Sequence, residues 1–220
     1  MDNLLLLAIL VILEAVLSAD NAIALASISQ SLENKKLQRK ALNIGLLVAF
    51  ALRMGMIIAA TFVIDFWQFE VVGAVYLLWL VFQFFTSEED DRGEHRGPKY
   101  TSLWQVIPLI AMTDLAFSLD SVTTAIAISE ETWLILTGAA LGIIALRFLA
   151  GLFISWLEEF RYLETAGYIT VGLVGIRLLV RVINPAIVPP EWLMISVIAM
   201  IFMWGFSQRN TRQSETESYN

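Results

Sequence analysis

Four carboxylates lie in stretches of this chain that are otherwise apolar. Glu14-Ala-Val-Leu-Ser18-Ala-Asp20-Asn21 and Asp114-Leu-Ala-Phe-Ser118-Leu-Asp120-Ser121 stand 100 residues apart. Each sets two acids, a hydroxyl and a further amide or hydroxyl in a segment apolar enough to enter a bilayer. A charge at that depth costs about 2.5 to 3.5 kcal/mol even on the most forgiving insertion scale, so recurring acids need a compensating partner. A bound cation is the simplest one. Carboxylate, amide and hydroxyl oxygens suit hard ions such as Mn²⁺, Mg²⁺ or Ca²⁺ and disfavour Cu⁺ or structural Zn²⁺. The chain has no Cys, and its one histidine, His95, sits in a charged stretch and reads as a solvated loop residue.

Helical geometry limits how these groups act together. At about 100° per residue, Glu14, Ser18 and Asn21 fall within about 40° of one another, and Asp114, Ser118 and Ser121 repeat that stripe. Asp20 and Asp120 point roughly 120° away from it. Either the helices unwind near Ser18 and Ser118, or each of these aspartates serves a separate partner such as an arginine. Arg53 and Arg147 lie within apolar runs too deep for easy snorkelling, and they read as counter-charges facing the protein interior. Four ionised acids against two arginines leave two negative charges, which suits one divalent cation. The same acids can take protons, because burial and like-charge crowding raise carboxylate pKa values.

The elements that position these residues are membrane helices. Apolar residues form 58% of the 220, charged residues only 16%, and mean hydropathy is +0.71, whereas a soluble domain carries about 25% charge. A net charge of −7 argues against nucleic acid as a partner, and no glycine loop of the phosphate-cradling kind points to an ATP-driven pump or an enzyme. No basic n-region precedes the first apolar run, so a retained helix is expected there rather than a signal peptide. Apolar runs near 3–28, 41–64, 71–86, 103–128, 132–157, 165–183 and 191–207 predict seven transmembrane helices in an all-α polytopic membrane protein. Tryptophans cluster near the predicted helix ends, as interface anchors do. Gly138-x-x-x-Gly142 is read as a point of close helix packing.

Internal repetition goes beyond the acids. Ala51-Leu52-Arg53 recurs as Ala145-Leu146-Arg147, and Glu70-Val-Val-Gly73 as Glu164-Thr-Ala-Gly167, both at an offset of 94 residues. The expected organisation is a first three-helix repeat over 1–86, a charged cytoplasmic linker over 87–101, a second, inverted three-helix repeat over 102–183, a seventh helix over 184–207 and a disordered tail over 208–220. An odd number of helices per repeat inverts the second copy, an arrangement in which substrate binds near the midplane. With the N-terminus outside, ten Lys and Arg fall on the inner side and only Arg181 on the outer, so the C-terminus is expected in the cytoplasm. The cell's inner or plasma membrane is the expected home.

The paired segments Glu14-x-x-x-Ser18-x-Asp20-Asn21 and Asp114-x-x-x-Ser118-x-Asp120-Ser121 resemble the TerC family of integral membrane proteins, over about residues 1–207. That resemblance implies a Mn²⁺ exporter grouped with LysE-type transporters, with Glu14, Asp20, Asn21, Asp114, Asp120 and Ser121 as its metal site. Ser18, Ser118, Arg53 and Arg147 would support it. Mn²⁺, or alternatively Ca²⁺ or Mg²⁺, is then the transported ion, no tightly bound cofactor is expected, and protons are the candidate counter-ion. The alternatives are a factor that assembles or inserts membrane proteins, to which members of the family have been linked, and an exporter of a small organic solute such as an amino acid.

Overall fold

The computed structural model describes residues 6–12, 19–32, 34–59, 67–87, 100–128 and 131–209. The chain is all-α. Residues 6–12 are helical, followed by α1 (Ala19–Gln30), α2 (Lys35–Ile58), α3 (Trp67–Thr86), α4 (Leu103–Ile128), α5 (Thr132–Glu159), α6 (Leu163–Ile183), a 3₁₀ turn (Pro185–Ile187) and α7 (Glu191–Gly205). Asn34 caps α2, accepting from the Lys36 amide at 2.9 Å, so the basic stretch from Lys35 to Lys40 is helix rather than loop. Hydropathy marks only the part of a helix that lodges in lipid, while Lys, Arg and Gln continue it readily into water. Asn184 and Pro185 stop α6, and Pro190 N-caps α7.

The expected seven transmembrane helices in two inverted three-helix repeats are not what the structure contains. Among the described residues five helices, α2 to α6, are long and apolar enough to cross a bilayer. α7 has 15 residues, or about 22 Å of rise, against a hydrocarbon layer of about 30 Å. α1 has 12. Among the described residues two of these five helices precede the charged linker and three follow it, so two matching sets of three spans are not evident there. Apolar run length counts the 15-residue α7 as it counts a full span, because it scores apolarity and not the length of the helix that results.

Helix pairing follows from contacts at small residues. α3 and α6 run antiparallel, with Phe84 stacked on Tyr168 at 3.9 Å between centroids and Gly175 set against Leu77 and Leu78. α2 and α5 are antiparallel too, held at one end by Lys35 Nζ donating to Glu158 Oε2 at 2.9 Å. α2 and α4 run parallel, and Gly138 of α5 packs against Leu10, as its spacing to Gly142 suggested. α4 is the most enclosed of the five spans: 71% of its apolar stretch is buried, against 28% to 44% for the other four. Trp67, Trp104, Trp133 and Trp192 stand exposed at or beside the first residues of their helices, where interface anchors belong, whereas Trp79 is exposed mid-helix.

Gly45 sets how closely α2 approaches α4. A Cβ there would lie 2.6 Å from Ile110 Cγ2, while a Cβ at Gly55, on the same helix, would meet nothing within 4 Å. Gly45→Ala is therefore expected to cost about 1–3 kcal/mol through overpacking. Gly55→Ala should leave stability unchanged or raise it by about 0.4–1 kcal/mol. Thermal unfolding of the two variants in detergent, side by side, checks the contrast.

Candidate functional site

α4 carries the polar centre. Thr113, Asp114, Ser118 and Ser121 are all buried on this one spanning helix, which stays helical without interruption through the motif. The unwinding considered for the second motif is thus not found. Asp114 is 0% exposed and faces Arg53 of α2, itself 1% exposed. Nη2 of Arg53 donates to Oδ1 and Oδ2 at 3.2 Å each. One nitrogen shared between two oxygens is a looser grip than the two-nitrogen fork that arginine can offer a carboxylate. Close approach at Gly45 and Ile110 makes the pairing possible. Arg53 lies two turns beyond Gly45 and Asp114 one turn beyond Ile110, so the long arginine side chain reaches back along the parallel helices.

The serine hydroxyls are already oriented. Ser118 Oγ donates to the Leu115 carbonyl at 2.8 Å and Ser121 Oγ to the Ser118 carbonyl at 3.3 Å. Each hydroxyl spends its proton on the backbone and keeps lone pairs that can accept a bond or ligate a cation. On α3, Tyr76 donates to the Leu109 carbonyl at 3.1 Å and shares a hydrogen bond of 3.0 Å with Thr113, which fixes the helix face next to Asp114. Asn21 of α1 is also buried. It lies one turn from Ala24, which packs with Ala116 and Phe117 of α4 in a single cluster.

Arg147 does not join this centre. Its Nε donates to Asn43 Oδ1 across the seam between α2 and α5, a partly exposed place, so the two Ala-Leu-Arg segments occupy unlike surroundings. The expected interior counter-charge at Arg147 is corrected accordingly. The net of two negative charges, which counted both arginines in one centre, loses its basis. Glu14 and Ser18 fall outside the described residues, as do the side chains of Asp20 and Asp120. Among the described residues, no three His, Asp or Glu side chains gather to hold a metal.

Arg53 and Ser121 border a void of about 10 Å³, closed by Leu10, Ile57 and Gly138, which is at the lower limit for a single water. A larger cleft of about 340 Å³ opens between α2, α3 and α4, lined by Leu52, Phe69, Val72, Met112 and Leu119 with no charged side chain. It offers an ion nothing to bind. Sequence patterning does not single out Tyr76, Thr113 or Asn43. Thr113 beside Asp114 in an apolar run was an available signal, whereas Tyr76 and Asn43 gain meaning only once the helix pairs are known.

Comparison with known proteins adds relatives. The family model described as the integral membrane protein TerC family matches residues 1–216. Uncharacterized membrane protein YceF of Bacillus subtilis is 36% identical over 177 residues, covering 77% of this chain and 68% of that protein. Uncharacterized membrane protein YkoY of the same organism is 31% identical over 223 residues, covering 90% and 67%. The chloroplastic thylakoid membrane protein TERC of Arabidopsis thaliana is 26% identical over 200 residues, covering 76% and 52%. No solved structure matches the chain.

Removing one partner from a buried ion pair leaves a naked charge, while replacing both with apolar groups of similar size can be neutral or stabilising. Arg53→Met alone should cost about 3–5 kcal/mol, and Arg53→Met with Asp114→Leu should recover most of that loss. Unfolding midpoints of the single and double variants in detergent check this coupling.

Proposed function

This chain belongs to the TerC family of integral membrane proteins, and on that premise we propose that it carries a hard divalent cation, Mn²⁺ first among them, across the membrane. The observation that supports the reading most is Asp114: fully buried within a spanning helix, with two hydroxyl oxygens following it at i+4 and i+7. In this reading Glu14, Asp20, Asp114 and Asp120 supply charge, while Asn21 and Ser121 supply neutral oxygens. All oxygen, with no sulfur and no imidazole, the donor set fits a hard cation.

Arg53 has a defined part. Its guanidinium holds the counter-ion position beside Asp114, and an arriving cation displaces it, which keeps the carboxylate compensated in both states. A void near 10 Å³ passes no hydrated ion, so the helices around it must part for the cation to enter and leave. Protons can occupy the same acids on the return step. In this reading the lysine-rich end that holds Lys35 faces the cytoplasm by the excess of positive charge there, with the plasma membrane as the setting.

A second reading rests on one observation. Lys35 and Glu158 mark one end of the α2–α5 seam, and Asn43 lies eight residues, or about 12 Å, further into the membrane. There it meets the half-exposed Arg147, so a polar seam faces outward at bilayer depth. Such a seam would suit a client helix, as an assembly factor requires.

Flux of Mn²⁺ into liposomes holding the purified full chain separates the readings. Under the transport reading, Asp20→Asn, Asp114→Asn and Asp120→Asn each lower flux about tenfold or more, equivalent to about 1.4 kcal/mol of lost ion stabilisation. Equal flux in all four proteins would remove the carboxylates from transport. No flux in any of them, together with capture of client helices that Arg147→Ala abolishes, would establish the assembly role.

A further inference from the structure

The seam where α2 meets α5 carries more positive charge than its acids balance. Lys35 is answered by Glu158 at the mouth of the seam, whereas among the described residues Lys36, Arg39, Lys40 and Arg147 enter no ion pair. At about 100° per residue, Lys36, Arg39 and Lys40 fall within about 60° of Asn43 around α2. All four are exposed and share one face. Arg147 turns towards the same end: a Cβ on Gly151, one turn nearer Glu158, would lie 3.1 Å from its Nη1, and its Nε donates to Asn43 Oδ1. The glycine leaves room for the guanidinium to lie along α5. A partly exposed arginine at bilayer depth thus reaches up towards the headgroups, oriented by an amide that carries no charge to cancel its own.

We propose that this seam binds an anionic phospholipid, with Lys36, Arg39 and Lys40 around the phosphate and Arg147 with Asn43 on the ester carbonyl oxygens beneath it. The site rests on neither reading of function. Depth separates its two halves. α5 has 28 residues, or about 42 Å of rise, which matches a bilayer of about 40–45 Å with its headgroup layers included. Its Glu158 end therefore reaches the outer edge of the headgroups. From there Arg39 lies about 6 Å in, within the interfacial layer, and Gly151, beside the guanidinium, about 10 Å in, at the top of the hydrocarbon. Orientation of the protein in the membrane accounts for cations among the headgroups. It does not call for an arginine further in, laid along a glycine and held by an amide. Juxtamembrane basic clusters draw anionic lipids, and the positive N-terminal dipole of α2 adds to that field. Lipid phosphate brings the balancing charge that an apolar client helix lacks, and free phosphate has no ester for Arg147 and Asn43 to meet.

The test is binding of phosphatidylglycerol, phosphatidylcholine and inorganic phosphate to the purified full chain in detergent, read by native mass spectrometry and by the rise in unfolding midpoint. Phosphatidylglycerol should bind and raise the midpoint. Phosphatidylcholine, whose choline cancels the phosphate charge, and inorganic phosphate, which has no ester, should each bind about tenfold or more weaker. Arg147→Gln should weaken phosphatidylglycerol about fivefold, and Arg39→Gln with Lys40→Gln about 25-fold. Arg147→Lys should restore part of the loss. The double variant changes only exposed positions and serves if Arg147→Gln does not fold. Arg161→Gln removes the same charge at this end of the bundle, away from the seam, and should change nothing. Equal phosphatidylglycerol affinity in wild type, Arg147→Gln and the double variant overturns the site, as does an equal loss in Arg161→Gln. Inorganic phosphate raising the midpoint as far as the lipid does overturns it too. Wild type that binds a client helix at the seam and no phosphatidylglycerol returns the seam to the assembly reading, and Mn²⁺ flux bears on none of these outcomes.

Discussion

A carboxylate buried in the middle of a membrane helix has to be answered by a positive charge, and in this protein the answer comes from Arg53. Neither side chain reaches water: Asp114 is 0% and Arg53 1% exposed. Desolvating such a pair costs several kcal/mol per ion, and the mutual attraction offsets that only if the helices hold the two groups in register. The packing of α2 on α4 meets this demand. Gly45 allows the helices to approach over Ile110, and the ion pair forms one to two turns further on. The enclosure of α4 is the larger expression of the same constraint, because a helix carrying Asp114, Thr113, Ser118 and Ser121 can expose none of them to lipid.

Close packing also sets what the centre can do. Glycines at 45, 73, 138 and 167 each receive a side chain from a neighbouring helix, so the polar residues sit between tight apolar contacts and the void beside Arg53 stays near 10 Å³. Under the transport reading, an ion would sit in a dry, oxygen-lined place and move only as helices part. Under the same reading, mutual replacement of the Arg53 guanidinium and a metal ion beside Asp114 would let the ion cross without leaving the carboxylate bare.

Much of this was legible in the chain itself, and the misses have physical causes. The helices over 103–128 and 132–159 match their apolar runs closely, because continuous apolar length and helical length coincide there. They part company at α2, which begins at the capped Lys35 rather than at the first apolar residue, whereas α7 follows its run but has 15 residues, fewer than a spanning helix ordinarily needs. Repetition of Ala-Leu-Arg suggested two equivalent arginines. One is enclosed against Asp114 and the other lies on a half-exposed seam against Asn43. Identical tripeptides cannot report which neighbouring helix faces them.

By itself the sequence determined the solvent and the polar inventory: an all-α protein of the bilayer, with oxygen-bearing side chains recurring in apolar helices, because composition and hydrogen-bonding capacity are properties of residues. Tertiary structure alone decided which arginine answers Asp114, how many helices span, which contacts flank the centre and where Arg147 meets Asn43. These depend on contacts between residues up to 104 positions apart, and such contacts are set by helix packing, in which the shape of glycine and its neighbours matters more than any local pattern.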